Sequence, residues 1–412
     1  MSLLTSLLLL IVVARLLGQV ALRLRQPALV GELLAGVVLG PAILDVVAPS
    51  AALSGIAELA VFLVVLSAGL EMNFRDLWGV IVQRRGLLIS LLGFGLPFVS
   101  GLGVGLLFEL DVMRTVFLGL CISITALPVA VRILDSFGLL GTDIAKLSVA
   151  AAILNDVAAL LVLGVILDLP DVRTFEGISL SLLVIGGKLG VLCVLILGFN
   201  ASLEWLERRG LRIHRLPEKL MRLFGDEALL GTVIVFVLVF GSISDTLGFH
   251  FIIGAFFGAL LIDRRYFLAP HYHELERILA SITGGFLAPV FFAYIGLEFN
   301  LAGVSSPLFV VTVLAVSIAS KLLAGLAGGR LAGMPPREAL GLGIILNGRG
   351  IMELVVASIA FQRGFIGQGL FSTLVLMGVV TTVLTPILFR AFVLPHLQHG
   401  SNTGAPVTPP RD

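Results

Sequence analysis

Charged residues are sparse in this sequence. Asp, Glu, Lys and Arg make up 13% of its 412 residues, against about 25% in average soluble domains. The formal net charge is only +1. A protein that binds nucleic acid needs a concentrated basic excess to neutralise phosphates. The composition therefore argues against a nucleic-acid partner and against an ordinary soluble fold.

Cysteines and cofactor motifs are also few. The two cysteines, Cys121 and Cys193, lie in apolar segments and lack metal-ligand spacing, which predicts small buried side chains rather than disulfides or metal sites. The segments between the apolar runs contain neither a phosphate-binding glycine loop nor a zinc motif. We therefore expect no cofactor and no enzymatic activity. Any transport must draw on an ion gradient rather than on ATP bound by this chain.

Apolar runs, in contrast, are abundant. Hydrophobic residues form 58% of the chain and its mean hydropathy is +1.11. A helix needs about 20 apolar residues to cross a bilayer, so the fold class predicted is an all-α polytopic membrane protein with 13 transmembrane helices. The predicted spans are residues 2–22, 28–47, 52–70, 86–108, 113–134, 147–167, 178–203, 227–244, 248–262, 279–297, 305–329, 338–361 and 367–393.

The basic residues predict the orientation of these spans. With the N-terminus outside, 20 of the 27 Lys and Arg fall in cytoplasmic segments and three fall outside. Cytoplasmic loops carry such an excess of positive charge. We therefore predict a multi-pass protein of the cell (inner) membrane, with its N-terminus outside and its C-terminus in the cytoplasm.

Two similar hexapeptides indicate an inverted-topology repeat. GLEMNF (69–74) ends the third predicted span and GLEFNL (296–301) ends the tenth. Because seven spans separate them, the matching segments face opposite sides of the membrane. Repeats of this kind are common in secondary transporters. We predict that spans 1–6 correspond to spans 8–13 and that the seventh is a linker.

The repeat pairs the fifth span with the twelfth, and both carry helix-disrupting residues. Pro128 interrupts "CISITALPVAVRIL" in the fifth, whereas Gly348 and Gly350 interrupt "GLGIILNGRGIMELVV" in the twelfth. Interrupted helices in corresponding positions point to a binding site near the membrane midplane. The polar residues beside these interruptions are Ser123, Thr125, Asn347, Arg349 and Glu353.

Asn155 and Asp156 lie near the middle of the sixth span. An ionised side chain at the bilayer centre costs about 2.5–3.5 kcal/mol on insertion scales. Asp156 is therefore either a carboxylate locked to a basic partner or a site that binds a cation and a proton in turn. Burial favours the neutral acid, and a nearby cation favours the carboxylate. Asn155 either joins this site or forms a packing hydrogen bond.

Three further charged side chains lie at membrane depth. Lys321, in the eleventh span, either has an anionic or polar partner, loses its proton, or extends to the interface. Arg349 and Glu353 are four residues apart, a spacing that predicts an ion pair on one helical face. This pair either braces the interrupted twelfth span or tunes the electric field of the cavity.

Five segments, in order along essentially the whole membrane chain, resemble the monovalent cation:proton antiporter-2 family, the Asn-Asp type of the sodium/hydrogen exchanger superfamily. They are "ARLLGQVALRLRQPALVGELLAGVVLGP" (14–41), "SITALPVAVRILDSFGLL" (123–140), "AAAILNDVAALL" (150–161), "GFHFIIGAFFGALLI" (248–262) and "LGIILNGRGIMELVVASIA" (342–360). The resemblance implies a homodimer in the lipid bilayer, two broken helices that cross at the ion site, and elevator-type alternating access.

The resemblance also implies roles for the site residues. Asp156 would carry Na⁺ or K⁺ and the proton, and its Asn-Asp motif implies electroneutral exchange of one proton for one cation. The residues implied to shape or coordinate the site are Asn155, Thr125 and Ser123, and those implied to give electrostatic or gating support are Lys321, Arg349, Glu353 and Asn347. Any nucleotide-controlled regulation would require a separate subunit.

The predicted organisation follows from the repeat and the resemblance together. It comprises a dimerisation domain (1–80 and 226–300), an ion-binding core (81–170 and 301–395), a linker helix with a basic cytoplasmic loop (171–225) and a disordered tail (396–412). Two other functions remain open at this point: a channel-like K⁺ efflux subunit and a sodium-coupled solute symporter on a similar fold.

Overall fold

The computed structural model describes most of the chain, and its regular structure is helical. The described residues are 2–24, 26–71, 83–137, 139, 142–167, 175–209, 218, 228–267, 269–300 and 306–396. Within these ranges there is no β-strand. The predicted disordered tail beyond residue 396, most of the basic loop and the last residues of both hexapeptides lie outside the described residues.

The first half of the chain forms eight of the described helices. They are α1 (Leu3–Arg23), α2 (Ala28–Leu39), α3 (Ala51–Glu71), α4 (Arg84–Leu107), α5 (Val112–Ser123), α6 (Leu127–Ser136), α7 (Asp143–Leu167) and α8 (Phe175–Arg208).

The second half of the chain forms eight more in the described ranges. They are α9 (Ala228–Thr246), α10 (Phe251–Leu260), α11 (Ala269–Ile282), α12 (Ala288–Glu298), α13 (Pro307–Leu331), α14 (Pro336–Leu346), α15 (Ile351–Gln362) and α16 (Gln368–Phe392). A 3-10 turn (Arg264–Tyr266) precedes α11, and a π-helical turn (Thr283–Leu287) joins α11 to α12.

These helices make the chain a multi-pass membrane protein. Among the described residues, nine helical segments are long and apolar enough to cross a membrane, and four shorter apolar helices accompany them. A bilayer core about 30 Å thick requires about 20 residues of helix, so the short helices cannot each cross it alone. The count of 13 spans and the inverted repeat stay predictions.

Both predicted interruptions are present. The fifth predicted span divides into α5 and α6, with residues 124–126 outside helix, and the twelfth divides into α14 and α15, with 348–350 outside helix. Proline is tolerated in the first turn of a helix, which explains why α6 starts at Leu127, one residue before Pro128. Gly350 has an extended backbone, with φ −172° and ψ −143°, immediately before α15.

One interruption has no counterpart in the predicted spans. The tenth span was expected over 279–297, but helix begins ten residues earlier at Ala269 and changes to π-helix at Thr283–Leu287. The extra residue of a π turn leaves backbone carbonyls without their usual partners. Arg15 donates a hydrogen bond to one of them, the Gly284 carbonyl, at 3.0 Å.

The chain divides into two compact units. Unit 1 comprises Met1–Arg15, Glu32–Trp78 and Val157–Leu297, and unit 2 comprises Leu16–Gly31, Gly79–Asp156 and Glu298–Asp412. Within unit 2, α13 packs against α4 and α14. The crossing with α14 is so close that a Cβ atom on Gly325 would lie 2.1 Å from the Gly343 Cα. Small residues allow such contacts between membrane helices.

Candidate functional site

Asn155 and Asp156 lie in the middle of α7, which is continuous from Asp143 to Leu167. Each is only 1% exposed. The Asp156 Oδ1 atom is buried and has no hydrogen-bond partner. A buried carboxylate oxygen without a partner is unfavourable, so this position is suited to binding a proton or a cation rather than to stabilising the fold.

Asn155 lies beside the break between α5 and α6. Its Nδ2 atom is 3.4 Å from the Thr125 hydroxyl. With the amide in the opposite orientation, the nitrogen donates to the Ser90 and Ala151 carbonyls at 3.1 and 3.2 Å, respectively. Amide orientation is assigned from such networks. In the second orientation the amide oxygen, which could serve as a cation ligand, faces the break.

Lys321 is completely buried, and uncharged oxygens satisfy its ammonium group. Its Nζ donates to the Ser123 carbonyl at 2.6 Å, the Thr125 hydroxyl at 2.7 Å and the Gly93 carbonyl at 2.9 Å. An ammonium has three N–H donors, so all three are used without a carboxylate. The lysine therefore holds the broken segment in place, and Asp156 is not its hydrogen-bond partner.

The two interruptions contact each other directly. The Ala126 amide donates to the Gly348 carbonyl at 3.0 Å, and the Thr125 hydroxyl donates to the Leu346 carbonyl at 3.0 Å. A Cβ atom on Gly350 would lie 2.6 Å from the Ala126 Cβ, so this approach requires glycine. Backbone groups that no longer pair within a helix thus pair across the two breaks.

Arg349 binds the carboxyl-terminal end of α5. Its guanidinium donates to the carbonyls of Cys121, Ile122 (2.5 Å) and Ile124 (2.8 Å). Carbonyls at a helix C-terminus lack intrahelical partners and carry partial negative charge. The Thr382 hydroxyl on α16 donates to the Arg349 carbonyl at 2.9 Å. Arg349, which lies in the break between α14 and α15, therefore holds the break between α5 and α6 in place.

Glu353, in the first turn of α15, is fully buried beside Arg349. Its Oε2 is 3.8 Å from the Arg349 Nε, and neither carboxylate oxygen accepts a hydrogen bond. A contact at this distance is an ion pair without a hydrogen bond. Arg349 and Glu353 are therefore adjacent, as their spacing predicts, but the hydrogen bonds of the arginine are made to α5.

The predicted site residues all lie in unit 2, although some act through atoms other than those expected. Ser123 contributes its carbonyl to Lys321, whereas its hydroxyl donates to the Leu120 carbonyl at 2.7 Å. Asn347 caps α14 and lies 3.4 Å from the Thr385 hydroxyl. It therefore faces α16 through its side chain.

Sequence reasoning missed Gly93 and the threonines of α16. Thr381, Thr382 and Thr385 are fully buried. The string "TTVLTP" (381–386) was a usable signal, since three hydroxyls in an apolar helix indicate contact with polar groups. Gly93 acts through its carbonyl, which has no sequence signature of its own.

The formal charges of the buried cluster balance. It contains two acidic side chains, Asp156 and Glu353, and two basic ones, Lys321 and Arg349, each at most 1% exposed. Arg349 and Lys321 are held by backbone or hydroxyl oxygens, and Glu353 adjoins Arg349. Asp156 is the acid that no basic group contacts within 4.0 Å in the described part of the chain.

Comparison with known proteins finds matches to sodium/hydrogen exchangers and cation/H(+) antiporters. The family described as "Sodium/hydrogen exchanger, transmembrane" matches residues 7–394. Cation/H(+) antiporter 18 of Arabidopsis thaliana is 30% identical over 93% of this chain and 48% of its own length. The chain thus spans about half the length of this plant relative. The Na(+)/H(+)-K(+) antiporter GerN of Bacillus cereus is 25% identical over 91% of this chain and 92% of its own length.

The fold is also similar to that of a solved antiporter structure. The sodium proton antiporter MjNhaP1 from Methanocaldococcus jannaschii superposes with a TM-score of 0.68 at 17% identity, covering 95% of this chain and 97% of that one. At this identity the likeness concerns the fold alone. The family match, which extends over nearly all of the membrane region, is the stronger finding. The chain therefore belongs to the sodium/hydrogen exchanger family of monovalent cation:proton antiporters.

Proposed function

We propose that this protein exchanges a monovalent cation, Na⁺ or K⁺, for a proton, with Asp156 as their shared binding group. The observation that carries the proposal is the unpartnered Asp156 Oδ1 at the centre of a membrane helix. A hard cation prefers oxygen ligands. The same carboxylate can accept a proton when the cation leaves, so each ion displaces the other.

The neighbouring oxygens would shape this site in different ways. Asn155 offers an amide oxygen beside Asp156 in the orientation that donates to Ser90 and Ala151. The Thr125 hydroxyl and the Ser123 carbonyl already accept hydrogen bonds from Lys321. We therefore assign Asn155 to the cation and assign Thr125 and Ser123 to holding the lysine that sets the local field.

Binding of both ions to the single carboxylate of Asp156 supports electroneutral exchange. All three hydrogen bonds of Lys321 go to uncharged oxygens and none goes to Asp156, so the proposal takes the charge of Lys321 as constant through the cycle. Binding of a proton or of a monovalent cation to Asp156 then adds the same single charge. The two loaded forms carry equal charge across the membrane, so a voltage has no net effect on one complete cycle.

The proposal also assigns roles to the two units and an orientation to the chain. Unit 2, which holds the eight site residues, would be the ion-binding core of an elevator-type cycle, and unit 1 would supply the dimerisation surface. The protein would act as a homodimer in the cell (inner) membrane, with its N-terminus outside. The positive-charge bias of the loops supports that orientation.

The experiment that tests this function follows proton movement in proteoliposomes with a pH-sensitive dye. Adding Na⁺ or K⁺ outside should drive protons out of acid-loaded vesicles, and clamping the membrane voltage at either sign should leave the rate unchanged. A channel would instead pass current that reverses with the ion gradient. A solute symporter would require an organic substrate for ion uptake.

Asn155→Asp is expected to make this exchange voltage-dependent. A second carboxyl group beside Asp156 can carry a second proton, so a cycle that moves two protons against one cation transfers a net charge. Moving one elementary charge is worth about 2.3 kcal/mol per 100 mV, which corresponds to a large rate change under a clamped voltage.

The matched control for this prediction is Asn200→Asp, on α8. That side chain accepts a hydrogen bond from Arg265 at 3.3 Å, so an introduced carboxylate there has a basic partner outside the site. Its exchange should remain voltage-independent. Voltage-independent exchange by an active Asn155→Asp protein would show that the amide does not set the stoichiometry.

A further inference from the structure

Unit 2 contains a cavity of about 500 Å³ that the transport proposal does not use. Its volume lies within the range of about 300–1,000 Å³ that is typical of ligand sites. Apolar side chains from three segments form its walls, including Leu22 in the last turn of α1, Ile133 in α6, Phe137 just after α6, and Pro386 on α16.

Two polar side chains also line this cavity. Arg390, in the last turn of α16, is the charged one among the lining residues that the structure describes, and it forms no ion pair or hydrogen bond with any described residue. The Gln26 Oε1 atom is buried and has no hydrogen-bond partner. A buried acceptor without a partner is unfavourable. The cavity therefore offers a positive charge, a hydrogen-bond acceptor and an apolar interior.

We propose that this cavity binds one anionic glycerophospholipid, whose phosphate contacts Arg390 and whose acyl chain lies along Ile133 and Phe137. The charge of the lining selects an anion, because no acidic side chain lines the cavity in the described residues. Gln26 Oε1 would accept a hydrogen bond from a headgroup hydroxyl.

The surroundings of the cavity favour a lipid as its occupant. The residues at its rim include Leu24 and Ile387, which are 69% and 50% exposed. Ile387 lies within the last predicted span, where exposed side chains are expected to face the bilayer and its acyl chains, and Leu24 follows the cytoplasmic end of the first predicted span. Arg390 and Arg23 also fall in segments predicted to be cytoplasmic. Basic pockets between membrane helices on that side bind anionic headgroups.

The cavity shares a wall with the broken helices. Val129 lines it and also packs against the glycines of the second break: a Cβ atom on Gly348 or Gly350 would lie 3.2 or 3.4 Å from the Val129 methyl carbons. A bound acyl chain would therefore pack against Val129, which in turn packs against the break between α14 and α15. Lipid binding here should stabilise unit 2 near the ion site.

Native mass spectrometry of the purified chain tests the proposal without relying on transport. The protein is released from mixed micelles containing equal amounts of phosphatidylglycerol and phosphatidylcholine with identical acyl chains. Arg390→Gln should retain about fivefold less phosphatidylglycerol than wild type, as expected for the loss of one basic contact. Ile387→Trp, which fills the opening of the cavity, should reduce retention similarly. Arg337→Gln removes an exposed arginine elsewhere and should match wild type.

Thermal unfolding in detergent provides the second measurement. Adding phosphatidylglycerol should raise the Tm of wild type and Arg337→Gln, because a ligand that binds the folded state stabilises it, and should not raise that of Arg390→Gln or Ile387→Trp. Equal phosphatidylglycerol retention by wild type and both cavity variants would overturn the proposal. Equal retention of phosphatidylcholine and phosphatidylglycerol by wild type would overturn it as well. Absence of antiport would refute the proposed function but leave this binding result unaffected.

Discussion

Replacing Asp156 with Asn is expected to lower cation-driven proton exchange to below about 1% of the wild-type rate. The reason is that an ionisable group at the bilayer centre is costly and marks an ion pathway, and here it is the proposed carrier of both ions. Asparagine keeps the shape of the side chain but neither accepts a proton nor offers a negative charge to a cation. The measurement is dye dequenching in proteoliposomes on addition of Na⁺, K⁺ or Li⁺, with equal amounts of reconstituted protein.

Asp143→Asn is the matched control for this substitution. Asp143 lies in the first turn of the same helix and is exposed, so the variant should retain wild-type exchange. Asp156→Asn should also remain monodisperse and unfold at or above the wild-type temperature, since it removes from the interior a carboxylate with an unpartnered, buried Oδ1 atom. Normal exchange by a folded Asp156→Asn protein would refute the assignment of Asp156 as carrier.

Replacing Arg349 with Leu is expected to destabilise the protein by about 3–5 kcal/mol, the usual result of removing one partner from a buried charge pair. The substitution removes the donors that serve the carbonyls of Cys121, Ile122 and Ile124. It also leaves Glu353 buried without a nearby cation. Thermal unfolding in detergent, or the fraction of monodisperse protein after purification, measures the loss.

Two further variants separate these contributions. The double variant Arg349→Leu/Glu353→Leu should recover part of the stability, because the isolated carboxylate is gone while the α5 carbonyls still lack donors. Arg363→Leu, at the exposed end of α15, should change stability by no more than about 0.5 kcal/mol. If Arg349→Leu were as stable as Arg363→Leu, the hydrogen bonds to α5 would not stabilise the break.

The sequence predicted the continuous and the interrupted helices around the proposed site well because its signals are local. Asn155 and Asp156 interrupt a long apolar run, and the run forms one continuous helix with the pair at its centre. Pro128 and the glycines around Arg349 mark segments where helix is unfavourable, and the structure breaks both spans there. Burial, helix length and helix interruption follow from such residues directly.

The partners of the basic groups were less predictable, for a physical reason. Lys321 and Arg349 bind mostly backbone carbonyls, and any residue type provides a carbonyl. Which carbonyls are free depends on where a helix ends and which helix crosses it. The pairing of Arg349 with Glu353 was predicted from helical spacing, but Arg349 precedes the first residue of α15. Its side chain is therefore free to reach α5.

Competition between protons and the cation tests the central claim most directly, namely that both bind Asp156. The rate of exchange is measured in proteoliposomes over a range of Na⁺ or K⁺ concentrations at several pH values on the cation side. If one carboxylate binds either ion, the apparent KM for the cation should rise by up to about tenfold for each unit by which pH falls, with an unchanged maximal rate, as mutually exclusive binding requires. A KM that is independent of pH, with a maximal rate that falls, would show that proton and cation occupy separate sites.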